Sequence, residues 1–84
     1  MNQSRSLFER ILGGRSDANI RFDDLRSLLL NMGFTERIRG SHHIFRKEGV
    51  TDRINLQRDG NHAKPYQVRQ VRMMLLKHEW EEDN

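Results

Sequence analysis

Phe22-Asp23-Asp24-Leu25-Arg26-Ser27-Leu28-Leu29-Leu30-Asn31-Met32-Gly33-Phe34-Thr35-Glu36-Arg37-Ile38-Arg39-Gly40-Ser41-His42-His43-Ile44-Phe45 changes its hydrophobic period at Gly33, and that change decides the fold. Before the glycine, Phe22, Leu25, Leu28, Leu29 and Met32 share one helical face, the spacing of an amphipathic helix. Asp23 and Asp24 fall in its first turn, where the helix dipole favours anions. Gly33 can take the left-handed conformation that stops a helix, so the spacing predicts a helix over Phe22 to Met32. After it, Phe34 to Arg39 and Ser41 to Lys47 are short runs rich in aromatic and β-branched residues, separated by Gly40, and read as strands.

Outward from this stretch the remaining elements fall into place. Glu48-Gly49-Val50-Thr51-Asp52 reads as a loop, and Arg53 to Gln57 alternates, with Ile54 and Leu56 turned to a core and Arg53, Asn55 and Gln57 to solvent. Arg58-Asp59-Gly60-Asn61 is rich in turn residues. Pro65 suits the first position of a final helix running to about Trp80, with Val68, Val71, Met74 or Leu75, and His78 on one face. Upstream, Ser4 to Leu12 places Leu7, Phe8, Ile11 and Leu12 for a short helix closed by Gly13-Gly14, and a polar connector spans Arg15 to Arg21. The order is α-α-β-β-β-α. It predicts a two-layer α+β fold, a three-stranded antiparallel sheet with helices on one face. Residues 1–84 are expected to form one domain: an N-terminal helix and connector (1–21), a core (22–80) and an acidic tail (81–84).

Charge narrows the function. Fifteen Lys and Arg face twelve Asp and Glu, but Glu79, Glu81, Glu82 and Asp83 lie in the last six residues. Residues 1–78 therefore carry 15 basic and 8 acidic groups, a balance of +7. Such a field attracts nucleic acid or an acidic protein. The absence of cysteine excludes disulfides and thiolate zinc sites and fits a reducing compartment. Met1 to Arg10 has no apolar run of a signal peptide, and Leu28-Leu29-Leu30 and Met73-Met74-Leu75-Leu76 are too short to cross a bilayer. A soluble, cytoplasmic protein is expected.

The histidine pair carries the chemistry. An imidazole with a pKa of about 6.5 serves as base and acid near neutrality without large tuning. Neighbouring strand residues point to opposite faces, so His42 and His43 cannot both face a substrate. If Phe45 packs inward, so does His43 and His42 is free; if Ile44 packs inward, the assignment reverses. Metal binding is not expected: His42-His43 is not an i, i+4 pair, and His62 and His78 lie far apart without acids at ligand spacing. Ser41 lacks a G-x-S-x-G elbow. Lys64, Arg69 and Arg72 lie near the start of the last helix, where amides favour phosphate, and Tyr66 is placed to stack on a base. The plainer reading of this tract is a capped core and a solvated helix face.

Gly-Ser-His-His-Ile-Phe following a helix that ends in Met32-Gly33-Phe34, then a meander and the helix Lys64-Pro65-Tyr66-Gln67-Val68-Arg69-Gln70-Val71, resembles the HicA (YcfA-like) toxins over Phe22 to about His78. The resemblance implies a double-stranded-RNA-binding-domain-like fold, here with an extra N-terminal helix. It also implies messenger RNA cleavage without a cofactor and neutralisation by a HicB-type antitoxin. The histidine after Gly-Ser, His42, would be catalytic, with His43 and His62 as auxiliary candidates. Arg39, Ser41, Lys47, Lys64, Tyr66 and Arg69 would bind RNA. The chemistry is consistent, since RNA supplies its own 2′-hydroxyl nucleophile and needs a base and stabilising cations. The rivals are a non-catalytic module that recognises duplex RNA by shape and an adaptor that docks an acidic protein.

Overall fold

A computed structural model describes residues 3–80 and shows three helices, a three-stranded antiparallel sheet and a small second hairpin. Helix α1 (Gln3–Gly13) and a 3-10 turn (Asp17–Asn19) precede α2 (Phe22–Asn31). Strands β1 (Thr35–Arg39), β2 (His42–Lys47) and β3 (Val50–Leu56) form the sheet in that order. The hairpin β4 (Arg58–Asp59) and β5 (His62–Ala63) leads into α3 (Pro65–Lys77). The architecture is the expected double-stranded-RNA-binding-domain-like α+β arrangement. The acidic tail, 81–84, lies outside the described residues.

The helix-to-strand switch is made by Gly33. At φ +98° its N–H donates to the Leu30 carbonyl at 3.0 Å and the next N–H, of Phe34, to the Leu29 carbonyl at 3.1 Å. This pair of reversed bonds is the left-handed closure that favours glycine. Helix α2 begins without a side-chain cap; the Phe22 N–H donates instead to the Asn61 carbonyl at 3.0 Å, so the β4–β5 hairpin satisfies an orphan amide of its first turn. Pro65 opens α3 as expected. That helix stops at Lys77 rather than Trp80 because Glu79 turns to φ 50°, and Trp80 folds back to stack on Phe34 with ring centroids 5.8 Å apart.

One core holds the layers together. Leu7, Phe8 and Ile11 of α1 join Phe22, Leu25 and Leu29 of α2, Phe45, Ile54 and Leu56 of the sheet, and Val68, Val71, Met74 and Leu75 of α3. Each fully buried side chain of this size contributes about 1.5–3 kcal/mol. Arg72 of α3 secures the N-terminal segment: its guanidinium donates to both Asp17 carboxylate oxygens (2.9 and 3.1 Å) and to the Ile11 carbonyl (3.2 Å). Of the apolar run Met73–Leu76 only Met74 and Leu75 are buried, while Met73 and Leu76 face out.

Two loops differ from expectation. The connection before β3 is only Glu48-Gly49, because Gly49 at φ +85° closes a two-residue turn and lets Lys47 pair with Val50. The tract expected as a loop at 58–61 belongs to a paired hairpin whose two-residue strands are too short to show alternation. No helix among the described residues is long and apolar enough to cross a membrane.

Candidate functional site

Strand alternation separates the two histidines. Phe45 is fully buried, so His43, two residues earlier, turns to the same inner face and His42 to the outer one. His43 is half-buried, with its ring edge against Phe22 at 4.8 Å and its Nδ1 2.8 Å from Glu36 Oε2. Glu36 is gripped by Arg26, whose Nε and terminal nitrogen donate to its oxygens at 2.7–3.0 Å. Those bonds hold the Glu36 carboxyl below its ordinary range, with burial opposing and His43 adding to the effect. His43 therefore anchors β2 to β1 and to α2.

His42 is exposed, and its Nδ1 lies 3.2 Å from Asn55 Oδ1 on β3. An amide oxygen only accepts, so Nδ1–H donates, and in the neutral ring the lone pair is then on Nε2. That nitrogen finds no partner among the described residues. The preceding turn bends at Gly40, φ +58°, and is tied to the helical layer by a chain of polar contacts. Gln57 Nε2 donates to Ser41 Oγ (3.1 Å), the Gln57 N–H donates to Gln67 Oε1 (3.2 Å), and Gln67 Nε2 donates to the Tyr66 hydroxyl (3.4 Å). Gln67 is the one buried polar side chain among the described residues, and this chain places the start of α3 beside the Gly40 turn.

Of the sequence-predicted site residues, Arg39, Ser41 and His42 meet at this turn, Arg39 pairing directly with His42 across the strands. Lys64 precedes α3 and Tyr66, 54% exposed, lies in its first turn with Arg69 following. His62 is exposed on β5 and bridges to Arg21. Lys47 stands apart, five residues along β2 and roughly 16 Å away at strand rise, its Nζ against Gly33 at the C-terminal end of α2. An open groove of about 580 Å³ also lies at that far end, lined by Gly33, Thr35, Arg46, Lys47 and Asp52 among others. His42 therefore lies on the exposed sheet face and not in this groove.

The charges of the sheet are sorted by face. Glu36 and Asp52 turn inward, Asp52 accepting from His78 (3.0 Å) and Lys77 (3.2 Å) of α3. Arg37, Arg39, Arg46 and Arg53 turn outward and are all exposed. The sequence counts Arg37, Arg46 and Arg53 only toward a basic field and does not single them or Asn55 out as site candidates, although the period-2 alternation that sets Arg53 and Asn55 toward solvent is the signal that joins them to the face of His42. Among the described residues no three His, Asp or Glu side chains gather as a metal site requires.

A family model described as HicA toxin of bacterial toxin-antitoxin matches residues 22–81, most of the 84-residue chain. Searches among curated proteins and among solved structures return no match. Helix α1 precedes the matched region, yet shares its core. With the helix, the Gly-Ser-His turn, the meander and the final helix all inside the matched span, the chain belongs to the HicA toxin family of bacterial toxin–antitoxin systems, which implies an antitoxin as its partner.

Proposed function

We propose that the protein is an endoribonuclease that cleaves messenger RNA without a metal, using His42 as general base. The observation that carries this reading is the His42–Asn55 contact: the amide oxygen holds Nδ1–H, which leaves the basic Nε2 free on an exposed, cationic face. His42 Nε2 takes the proton of a ribose 2′-hydroxyl, and the 2′-oxygen attacks the adjacent phosphorus. The P–O5′ bond breaks, the 5′-oxygen takes a proton from solvent at this open face, and the upstream fragment ends in a 2′,3′-cyclic phosphate. Arg39, opposite His42 on β1, stabilises the charge that develops on phosphorus. His43, turned onto Glu36, keeps a positioning role, and His62 on the second hairpin takes no step.

The partner in this reading is a HicB-type antitoxin that covers the His42 face in the cytoplasm. A body charge of +7 favours fast, electrostatically steered docking of an acidic partner. The test is product chemistry in EDTA: the upstream fragment should carry a 2′,3′-cyclic phosphate and RNA methylated at its 2′-hydroxyls should resist. Cleavage that stops in EDTA and returns with magnesium overturns the mechanism. Purified wild type that binds duplex RNA and cleaves none would make the chain a non-catalytic binding module.

A further inference from the structure

We propose that the outer face of the three-stranded sheet is a track for a single unpaired RNA strand, its phosphates held by Arg37, Arg39, Arg46 and Arg53 and one nucleotide set over His42. The choice of RNA rests on the ribonuclease reading above; the binding itself rests on the face. The strand register lays out its rows. Arg39 stands opposite His42, Arg37 opposite Ile44 and then Asn55, and Thr35 opposite Arg46. Arg53 follows on the same side of β3, two residues before Asn55.

None of these four guanidinium groups has a hydrogen-bond or ion-pair partner among the described residues; Arg46 takes part only through its carbonyl, which accepts from the Thr35 hydroxyl at 3.1 Å. Three guanidinium groups elsewhere are neutralised, Arg26 on Glu36, Arg58 on Asp23 and Arg72 on Asp17, whereas the four on this face stand together without an acid. The two acids within the sheet strands that alternate with these arginines, Glu36 and Asp52, are both on the other side and already paired. An uncovered patch of one sign repels itself and is relieved by a polyanion. Guanidinium suits that role, because its planar fork matches phosphate oxygens.

The dimensions favour one strand over two. Residues two apart on a strand are separated by about 7 Å and neighbouring strands by about 5 Å, so the face is roughly 14 Å long and 10 Å wide. Proteins that recognise duplex RNA by shape span about 16 base pairs and two minor grooves, far more than this face offers. Bases would lie on Ile44 and on guanidinium planes, contacts that tolerate any sequence. The chemistry points the same way, because attack by the 2′-oxygen in line with the P–O5′ bond needs a nucleotide released from A-form geometry.

The experiment measures binding to a fluorescein-labelled, 12-nucleotide single-stranded RNA in which every 2′-hydroxyl is methylated, so that cleavage does not enter. Anisotropy is followed from 50 to 250 mM salt for wild type, for Arg37→Gln/Arg46→Gln/Arg53→Gln, and for Arg15→Gln in the connector as a charge control. The triple variant should bind at least 10-fold more weakly at 100 mM salt. Its salt slope should fall by about 2, since each single-strand phosphate contact contributes about 0.7. Arg15→Gln should stay near wild type, and the matching duplex should bind wild type more weakly than the strand. Circular dichroism checks folding, and single Arg46→Gln gives the same direction if the triple variant unfolds.

Wild-type binding and slope in the folded triple variant overturn the proposal, as does a slope lost instead in Lys64→Gln/Arg69→Gln, which would put RNA on the start of α3. Loss of antitoxin binding with RNA binding intact also overturns it, making the face a protein-docking surface. If the track binds RNA but wild type cleaves no unmethylated RNA, this inference stands and the ribonuclease reading falls.

Discussion

The two faces of the sheet share the same three strands and obey opposite rules. On the inner face Phe45, Ile54 and Leu56 are fully buried, and each acid has a partner: Glu36 with Arg26 and His43, Asp52 with His78 and Lys77. On the outer face Arg37, Arg39, Arg46 and Arg53 have none among the described residues. His42 and His43, adjacent in sequence, fall on either side of this divide. The lesson is that a charge near the core must be paired, whereas a charge in water need not be. Unpaired cations collected on one face are therefore free for a ligand.

The comparison is broken most directly by exchanging the two histidines' fates. His42→Ala should lower RNA cleavage about 100-fold to 10,000-fold and leave the melting temperature within a degree or two. His43→Ala should do the reverse: destabilise the fold by about 1–3 kcal/mol, because Glu36 is left buried with one partner fewer, while each folded molecule stays active. Parallel melting curves and cleavage rates separate the two. If His43→Ala stays stable and loses activity, the faces have been assigned the wrong way round.

The neighbouring pair Ile44 and Phe45 sharpens the same contrast in packing alone. Phe45→Ala should cost about 3–5 kcal/mol, and Ile44→Ala, on the outer face, under about 1 kcal/mol, as read by urea unfolding. Equal costs would mean that a further layer covers the outer face in the isolated protein.

Acid sensitivity should belong to the inner face. Glu36 is held below its ordinary value chiefly by Arg26, and Asp52 chiefly by His78, burial opposing in both. A carboxyl whose folded pKa is depressed contributes stability that is present above its unfolded pKa, about 4, and is lost as pH falls through the folded value. Stability should therefore drop as the pH is lowered below about 4. Glu36→Gln should cost about 2 kcal/mol at pH 7 and flatten that acid limb. An unchanged limb in Glu36→Gln/Asp52→Asn would place the acid transition elsewhere.

The smallest effect concerns the outer face itself. Asn55→Ala should reduce cleavage about 10-fold with little change in KM, since it frees the imidazole tautomer and not the substrate. Asn55→Asp, whose carboxylate still accepts from Nδ1–H, should keep more of the rate than Asn55→Ala. Equal rates in wild type and Asn55→Ala would remove Asn55 from the positioning of His42.

Much of the fold was readable because its signals are local. Phe22 to Met32 declares a helix by its period, Gly33 its end, and Pro65 the start of the last helix. The loop before β3 was overestimated because a two-residue turn leaves almost no compositional trace beyond Gly49. The 58–63 hairpin was missed because its pairing is stabilised by the backbone of residues 20–22, which lies far away in sequence.

The candidate site divides in the same way. The order of residues, with four acids gathered in the last six positions, established a basic body and placed a histidine pair after Gly40-Ser41. Which histidine faces outward depended on whether Phe45 or Ile44 enters the core, and only packing against α2 and α3 decided it in favour of Phe45. The partnership of His42 with Asn55, the separation of Lys47 from His42 and the gathering of four arginines on one face are equally tertiary. Each follows from strand register, which is set by long-range hydrogen bonds and by the burial of one sheet face. A one-residue slip would have reversed every side chain.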